Sequence, residues 1–461
     1  MKEPLGHFHG DALSRLTTLV LRLTRYMKRF YVQSFGCRAS QADGAGIEAA
    51  LGARGLLRVS DEAEADLVVL NTCTVTSSAD ADARHAIRRL RRENPSAKIL
   101  VTGCYAQRAP EELAHMEGVT WVAGNSHKAA IADIVLDGDA GAELYHGQVF
   151  VGDIANTRDF VAAPVLNAYA DRSRPTLKVQ DGCSNKCSFC IIPSVRGRSR
   201  SASLSSVLDQ VQELSSRYAE VVISGINLGR WGRDLPGDLR FVDLIRRILE
   251  QTRLQRLRIS SVEPMDWNIE LLSLMAAESR IARHVHIPLQ SGSDFVLKRM
   301  FRKYRVRHYA SRLELAYKLM PDAAIGADVM TGFPGESDRE FDETVQFIRR
   351  HPFTYLHVFT YSERPGTAAS LYPDQVPVAM RRERTAVLRR LSDEKNEAFR
   401  RKMIGSRLSC VTLHENKALS TNFLPVDLAE PRAANQIADL DIGSLSPGGL
   451  REASLFQVLS N

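Results

Sequence analysis

The sequence has 461 residues, of which 44% are hydrophobic and 25% charged, and it carries a formal net charge of +7 at pH 7. At roughly 100–200 residues per domain this length predicts two to four domains, of which we expect three. No apolar run approaches the ~18 residues that a membrane span needs, and seven cysteines without a signal peptide argue against a secreted disulfide framework. We therefore expect a cytoplasmic protein that has no membrane partner.

The positive charge is concentrated in the middle of the chain. Residues 28–140 carry 13 Lys and Arg against 15 Asp and Glu, residues 169–403 carry 39 against 28, and residues 404–461 carry 4 against 6. A polyanionic partner of the middle region and a solvated basic surface both fit this pattern.

The folded part of the chain begins after residues 1–27, which we interpret as an extension. Three short apolar runs then end in polar turns, and a cysteine follows each of them. The runs with their cysteines are Phe30–Val32 with Cys37, Leu67–Leu70 with Cys73, and Ile99–Val101 with Cys104. This spacing, with helical segments such as Ala79–Arg92 between the runs, matches units of β-strand, helix and β-strand. We predict an α/β domain over residues 28–140 with a flavodoxin-like parallel sheet, whose ligand-binding edge brings the three cysteines together; singly buried cysteines are the alternative.

A stretch of small and polar residues over 141–168 predicts a linker, and a second series of strands follows it. The predicted strands are Thr176–Gln180, Glu220–Ser224, Leu257–Ser261, His284–Leu289, Ile325–Thr331 and Tyr355–Tyr361. Helical patterns such as Leu204–Arg217 and Phe341–Arg350 separate most of them. Six such repeats predict a complete or partial (β/α) barrel over residues 169–403, with the active site on the loops that follow the strands.

The last predicted elements are a long basic helix and a short tail. The helix covers Val378–Met403, and the tail, residues 404–461, contains the β-like segments Leu408–Leu413 and Asn422–Asp427. The tail is too short for a large core, so we predict a small β-barrel there. Cys410 lies in this tail, and we interpret it as a structural residue.

The loop after the first barrel strand reads DGCSNKCSFCIIP and contains Cys183, Cys187 and Cys190. Thiolates spaced four and three residues apart can surround one soft metal centre. A structural zinc site takes four ligands and a disulfide framework needs an even number of cysteines, whereas a 4Fe–4S cluster held by three thiolates keeps one iron open. Phe189 beside Cys190 fits a partly dry pocket around such a cluster.

The run CSNKCSFC resembles the signature of the radical S-adenosylmethionine superfamily, in which the open iron chelates the methionine part of S-adenosylmethionine (SAM). Further motifs are similar to those of the methylthiotransferases. They are SFGCRASQAD, NTCTVTSSAD and VTGCYAQ in the amino-terminal region, and VRGRSRS, SGINLGRWGRD, RISSVEP, HIPLQSGSD, GADVMTGFPGE and FTYSERPGT in the barrel. The resemblance covers about residues 28–403. It implies an auxiliary 4Fe–4S cluster on Cys37, Cys73 and Cys104, and a divergent TRAM-like β domain at residues 404–461.

In enzymes of this family a radical derived from SAM abstracts hydrogen from an unactivated C–H bond, and a methylated sulfur on the auxiliary cluster is joined to that carbon. The resemblance therefore implies two 4Fe–4S clusters and SAM as cofactors, and tRNA and an external one-electron donor (a reductase with flavodoxin, or ferredoxin) as partners. Arg38 after Cys37 and the NTCTVT run resemble the branch that acts on N6-threonylcarbamoyladenosine next to the tRNA anticodon, although Ser40 stands where that branch generally has asparagine.

Several other functions stay open on the sequence alone. The family also has branches that act on isopentenyladenosine in tRNA and on an aspartate of a ribosomal protein. Outside the family, a non-catalytic Fe–S electron carrier and a basic RNA-binding protein with structural cysteines are the alternatives.

The barrel loops and the basic segments indicate residues that bind the cofactor and RNA; beyond the clusters we assign no catalytic residue. Those expected to bind SAM are Phe189, Gly225, Asn227, Glu263, Gln290, Ser291, Gly332 and Glu336. Those expected to contact tRNA phosphates are Arg196, Arg198 and Arg200 after the cluster loop and Arg381 and Arg382 on the long helix, because the planar guanidinium group donates hydrogen bonds in pairs. A solvated helix face is the alternative for the helix arginines.

Overall fold

The structure is a computed structural model that describes residues 27–137, 146–157 and 174–454. The predicted extension lies outside these ranges except for Met27, and most of the predicted linker lies outside them as well. The chain divides into two compact units: the first ends at Ile154 and the second begins at Ala155, apart from Val75–Ser77, which group with the second unit.

The first unit is built on a six-stranded parallel sheet with the strand order β2-β1-β3-β4-β5-β6. The strands are β1 Arg29–Ser34, β2 Leu57–Arg58, β3 Leu67–Thr72, β4 Lys98–Gly103, β5 Val119–Gly124 and β6 Gln148–Phe150. The α-helices are α1 Arg38–Ala53, α2 Ser77–Glu93, α3 Cys104–Arg108, α4 Pro110–Ala114 and α5 Ile131–Asp137. The predicted α/β architecture with a parallel amino-terminal sheet is confirmed.

Helices cover both faces of this sheet, which is why the central strand β3 is apolar at successive positions and buried at every position. Val68 and Leu70 pack with α2 on one face, and Leu67 and Val69 belong to the core on the other face. The edge strand β6 lies inside the stretch predicted to be a linker. Its three residues are too few to show the alternation that would have indicated a strand.

The second unit begins with seven strands in two sheets of order β10-β9-β7-β8 and β11-β12-β13. Leu257 of β10 also forms a parallel bridge with Ile281, which precedes β11. The strands are β7 Thr176–Asp181, β8 Arg200–Ser201, β9 Glu220–Gly225, β10 Arg256–Ile259, β11 His284–His286, β12 Ala324–Thr331 and β13 Tyr355–Thr360. The α-helices are α6 Ile192–Arg196, α7 Leu204–Ser215, α8 Phe241–Gln251, α9 Ile269–Ala277, α10 Asp294–Arg299, α11 Val306–Leu319, α12 Asp338–Arg350 and α13 Val378–Lys402. All paired strands are parallel except the β7–β8 pair, so the prediction of a parallel strand and helix series is confirmed.

Alternating side chains of these strands point to an outer, helix-covered face and to an inner face that we call the lumen. On β12, Val329 is buried and Thr331 lies 2.7 Å (Oγ1 to Oγ1) from Thr385 of α13. Asp328, which alternates with them, lies on the lumen side next to His357, its register partner on the adjacent strand β13. Strand β11 ends at His286, three residues before the predicted end, because Pro288 has no backbone N–H and the chain then turns through Gln290 at φ 64°.

The carboxy-terminal residues form a closed five-stranded barrel of order β14-β15-β16-β18-β17. Its strands are β14 Arg407–Thr412, β15 Lys417–Ser420, β16 Pro425–Asp427, β17 Ile437–Ser446 and β18 Gly449–Glu452. This confirms the predicted small β domain. The predicted strand Asn422–Asp427 begins only at Pro425, since Phe423 adopts φ 65° in the turn before it. Cys410 is fully buried in the core of this barrel, in keeping with a structural role.

Candidate metal centres

The loop that carries Cys183, Cys187 and Cys190 starts where β7 ends. Gly182 adopts φ +66°, and a Cβ on it would lie 2.1 Å from the carbonyl oxygen of Arg198, so a glycine is required at this position. The Cys183 N–H donates to the Gly197 carbonyl at 3.0 Å, and this bond ties the start of the loop to its return segment.

A buried ion network anchors the same loop. Asp181 receives Arg196 at 2.9 Å, Lys178 at 3.2 Å and Arg200 at 3.3 Å, and it also accepts the Gly182 N–H at 2.8 Å. The four side chains carry more positive than negative charge, which favours anionic ligands in the adjacent loop. Arg196 and Arg200 were predicted to contact phosphate, but their guanidinium groups are buried against Asp181. A phosphate contact by either residue would first have to break an ion pair.

Two of the three thiols of the loop, those of Cys183 and Cys190, are disfavoured as thiolates without a bound cation. Burial, together with the neighbouring Cys187 and Cys183, raises the pKa of Cys190 to about 12, and burial also raises the pKa of Cys183. A metal centre binds thiolates and releases their protons. Three cysteines without a fourth protein ligand therefore fit a 4Fe–4S cluster with one open iron.

Two N–H donors from other loops reach the sulfur atoms. The Asn227 amide donates to Cys183 Sγ at 3.5 Å, and the Arg302 guanidinium donates to Cys187 Sγ at 3.3 Å and pairs with Glu263. Hydrogen bonds to cluster ligands set the reduction potential of a cluster. Sequence reasoning missed Arg302, because 115 residues separate it from Cys187 and the only signal was the density of basic residues around it.

Cys37, Cys73 and Cys104 follow three neighbouring parallel strands, β1, β3 and β4. The register pairs Ser34 of β1 with Asn71 of β3, and Thr72 of β3 with Gly103 of β4, so the carboxyl ends of these strands lie at one edge of the sheet. This is the edge at which open α/β sheets bind ligands.

The local packing brings the turns of this edge close together. A Cβ on Gly36, which has φ +90°, would lie 2.7 Å from Cβ and 2.8 Å from Sγ of Cys73. The amide of Asn125, which follows β5, donates to Cys104 Sγ at 3.6 Å. Cys73 and Cys104 are buried and Cys37 is exposed, an arrangement that fits a second cluster held by three thiolates with one side accessible.

The residues predicted to bind SAM divide into two groups. Asn227 and Glu263 lie at the cluster loop, as described, and Phe189 packs edge to face on Phe333 with ring centroids 6.4 Å apart. Gln290 exchanges backbone hydrogen bonds with β12 where that strand passes the lumen.

The other predicted SAM-binding residues stabilise the conformation of the loops in which they lie. Ser291 is fully buried with its Oγ 3.2 Å from Thr344 Oγ1, and Glu336 accepts the Gly332 N–H at 2.6 Å and an N–H of Arg384 at 2.8 Å. Burial raises the pKa of Glu336, although the Gly332 N–H and Arg384 act in the opposite direction. These side chains are committed to internal partners. Gly225 packs against Gln180.

The predicted RNA-binding arginines also differ in their placement. Arg381 donates to the backbone carbonyls of Val376 and Tyr361 and lies 5.2 Å from the centre of the Tyr361 ring, while Arg198 and Arg382 are exposed. Exposed guanidinium groups of this kind can meet a phosphate without losing an internal partner.

The lumen carries a polar group of side chains that the sequence did not indicate. His286 Nε2 lies 3.5 Å and His357 Nδ1 lies 3.3 Å from the same oxygen, Oδ1 of Asp328, and Ser261 Oγ lies 2.8 Å from Nδ1 of His286. The His357 side chain is 52% exposed, so this wall of the lumen is polar and accessible from solvent.

No helix in the described ranges combines the length and the apolar character that crossing a bilayer requires. Two family models match the chain: "Uncharacterized protein family UPF0004" over residues 29–124 and "Radical SAM superfamily" over residues 177–348.

Curated relatives cover most of the chain. The threonylcarbamoyladenosine tRNA methylthiotransferase MtaB of Aquifex aeolicus is 36% identical over 86% of this chain and 95% of its own length, and that of Bacillus subtilis is 39% identical over 78% and 79%. The tRNA-2-methylthio-N(6)-dimethylallyladenosine synthase of Syntrophobacter fumaroxidans is 34% identical over 78% and 79%. Among solved structures, the radical SAM methyltransferase TsrM of Kitasatospora setae matches with a TM-score of 0.56 at 16% identity, over 75% of this chain and 77% of that chain, which supports the fold.

Proposed function

The chain belongs to the radical SAM methylthiotransferase family, and we propose that it methylthiolates a tRNA adenosine that carries an N6-threonylcarbamoyl group next to the anticodon. The observation that carries this proposal is the presence of two three-cysteine sites, Cys183/Cys187/Cys190 and Cys37/Cys73/Cys104, each at the carboxyl ends of parallel strands. A carrier that only passes electrons normally ligates every iron with protein thiolates. Two sites with one ligand missing fit an enzyme that needs an open iron at each of them.

The substrate branch is supported by the names of the relatives and by the chemistry of the lumen. Relatives named as threonylcarbamoyladenosine enzymes are 33–39% identical to this chain. Asp328 with His286 and His357 presents hydrogen-bonding groups to the lumen. An apolar isopentenyl group would desolvate these groups without replacing their hydrogen bonds, at a cost in binding. A threonylcarbamoyl group, with its ureido, hydroxyl and carboxylate functions, can replace them.

Cys183, Cys187 and Cys190 would hold a 4Fe–4S cluster at the first site, and this cluster together with SAM would supply one-electron radical chemistry. The chain's own residues hold this site in place. Asp181 with its three cations fixes the root of the loop, and Asn227 and Arg302 donate to the cysteine sulfurs. Phe189 and Phe333 exclude water on one side of the loop.

The RNA is held by exposed basic groups of the second unit. Arg198 and Arg382 keep the role that the sequence indicated, because both are exposed. Arg196 and Arg200 are left out of this role, since both are engaged with Asp181. The enzyme acts where its tRNA substrate is found, which is the cytoplasm.

The test uses the reconstituted protein with tRNA and mass spectrometry of the nucleosides. The wild-type protein should add a methylthio group to threonylcarbamoyladenosine in preference to isopentenyladenosine, when anticodon stem-loops with either nucleoside compete. Cys183→Ala should abolish the cleavage of SAM, whereas Cys104→Ala should retain this cleavage and lose sulfur insertion. Sulfur insertion by Cys104→Ala, or a preference for the isopentenyl substrate, would contradict the proposal.

A further inference from the structure

A strongly basic segment borders the cluster loop, and none of the roles described above uses it. Residues 298–308, KRMFRKYRVRH, contain six Lys and Arg and no Asp or Glu. They comprise the end of α10, the connection to α11 and the first turn of α11. Lys298, Lys303, Arg305 and Arg307 are exposed, and within the described ranges none of these four forms an ion pair. The nearby Asp294 is occupied, since it accepts the Val306 N–H at 2.8 Å.

Two large apolar side chains are exposed beside these cations. Phe301 is 53% exposed and Met265 is 45% exposed. Phe301 adopts φ 56°, a conformation that a bulky residue rarely takes. This conformation ends α10 with a left-handed cap, in which the Phe301 N–H donates to the Lys298 carbonyl at 3.1 Å and the Arg302 N–H donates to the Leu297 carbonyl at 2.9 Å. Aromatic residues and methionine inside a charged rim are typical of a protein interface.

This surface reaches the cluster loop directly. A pocket is lined by Cys187 together with Phe301, Met265, Arg302 and Lys303. Arg302 contacts the sulfur of Cys187 at 3.3 Å, and its neighbour Lys303 is exposed. A partner that covers Phe301 therefore lies next to a ligand of the cluster.

We infer that Met265, Lys298, Phe301, Lys303 and Arg305 form a docking face for an acidic protein that carries a one-electron flavin or iron–sulfur centre. The inference rests on the proposed function, which needs an electron for each cleavage of SAM. The reduced donor gives one electron to the cluster and is itself oxidised by one electron. The basic rim attracts the acidic donor and raises its association rate, and the apolar centre contributes buried contact area to the complex.

RNA is the competing occupant, since bases stack on aromatic rings. Binding of RNA, however, does not require a position beside a cluster ligand, whereas electron transfer to the cluster does.

The test compares two reductants on the cluster-loaded full-length protein. One is an acidic flavodoxin reduced by its reductase, and the other is dithionite, which needs no docking face. In the variant K303E/R305E, reduction of the cluster by flavodoxin, followed by electron paramagnetic resonance, should slow roughly tenfold or more. Reduction by dithionite and the affinity for tRNA should not change. The charge-conserving variant K303R/R305K should restore the flavodoxin rate, and R247E, on the outer surface of α8, is the matched control.

The alternatives give different results. Equal slowing with both reductants would show that the substitutions damage the cluster site, and would overturn the inference. Weaker tRNA binding with an unchanged flavodoxin rate would assign the face to RNA instead. A failure of the proposed function is separate, because it would appear as wild-type protein whose cluster flavodoxin reduces normally but which modifies no tRNA.

Discussion

Arg302 is the residue that most directly couples the protein to the first metal centre. Its side chain is only 5% exposed, and it donates to Cys187 Sγ while pairing with Glu263. Burial alone would lower the pKa of Arg302. Tyr304, Glu263 and Cys187 favour the charged guanidinium, and the pKa of Arg302 is raised well above its ordinary value. A permanent positive charge beside a cluster ligand favours the more negative, reduced form of the cluster.

Replacing Arg302 with glutamine should therefore lower the reduction potential of this cluster. A hydrogen bond to a charged group contributes about 1.5–3 kcal/mol, which for a one-electron couple corresponds to roughly 60–130 mV. A redox titration followed by electron paramagnetic resonance measures this shift directly. Arg305→Gln removes the same charge at the exposed surface, where solvent screens it, and should leave the potential nearly unchanged. An intact cluster with the wild-type potential in Arg302→Gln would show that the contact has no electrostatic effect.

The arginines that follow the cluster loop show a property that the sequence does not predict, namely which of them are exposed. The pattern Arg196, Arg198, Arg200 places every second side chain on the same side of an extended segment, but the structure buries the first and third against Asp181 and exposes the second. A sequence gives the charge of a residue and not its partner. The placement of the cysteines was easier to predict, because three of them follow successive parallel strands, whose carboxyl ends share one edge of a sheet. That the two sets of cysteines hold metal clusters stays a prediction.

The turn between β15 and β16 is the element that joins the small β-barrel to the floor of the lumen. Phe423 in this turn stacks on His284 with ring centroids 4.3 Å apart and lies under the guanidinium of Arg258 at 5.5 Å. Arg258, fully buried and paired with Glu220, also donates to the carbonyls of Ser420 and Thr421 at 3.1 Å. The β-barrel therefore closes the amino-terminal end of the lumen and completes the coordination of a buried charge.

Phe423→Ala should destabilise the second unit by about 2–3 kcal/mol, since it removes a partly buried ring together with one stacking and one cation–π contact. Denaturant unfolding of the full chain measures the change. Leu371, which is 86% exposed, provides the control: its replacement by alanine should change the stability by no more than about 0.5 kcal/mol. Equal effects of the two substitutions would mean that the turn does not join the two parts.

The positions of most strands in both units were predictable, because apolar runs end in polar turns. The exact ends of strands and the shortest strands were not predictable. The strand from His284 was predicted three residues too long, since the turn at Gln290 depends on its backbone bonds to Asp328 and Met330 of β12. Edge strand β6 was missed, because it is a strand only by pairing with β5. The pairing of β6 and the turn at Gln290 depend on contacts between segments distant in sequence, which local patterns do not contain. Pro288 was the one local signal that β11 ends early.

The distribution of charge along the chain supports a polyanionic substrate, because the excess of Lys and Arg over Asp and Glu lies in the second unit and is not spread evenly. Residues 169–403 hold 39 Lys and Arg against 28 Asp and Glu, while the regions on either side are slightly acidic. Several of these cations are internal, as Arg258 and Arg384 demonstrate. Others, among them Arg198, Arg382, Arg389 and Arg390, are exposed and are available to a polyanion.

tRNA binding should therefore weaken steeply with salt. About 6–10 phosphate contacts cost on the order of 10³–10⁵ in affinity between roughly 50 and 200 mM salt, and a filter-binding titration at several salt concentrations measures the slope. Arg382→Gln removes one exposed contact, so the slope should become shallower by about 0.7–0.9. Arg247→Gln, on a surface not assigned to RNA, should leave the slope unchanged. Basic side chains that bind the RNA backbone displace the counterions condensed on its phosphates, and salt opposes this release. An affinity that does not change with salt concentration would therefore refute an interface dominated by phosphate contacts.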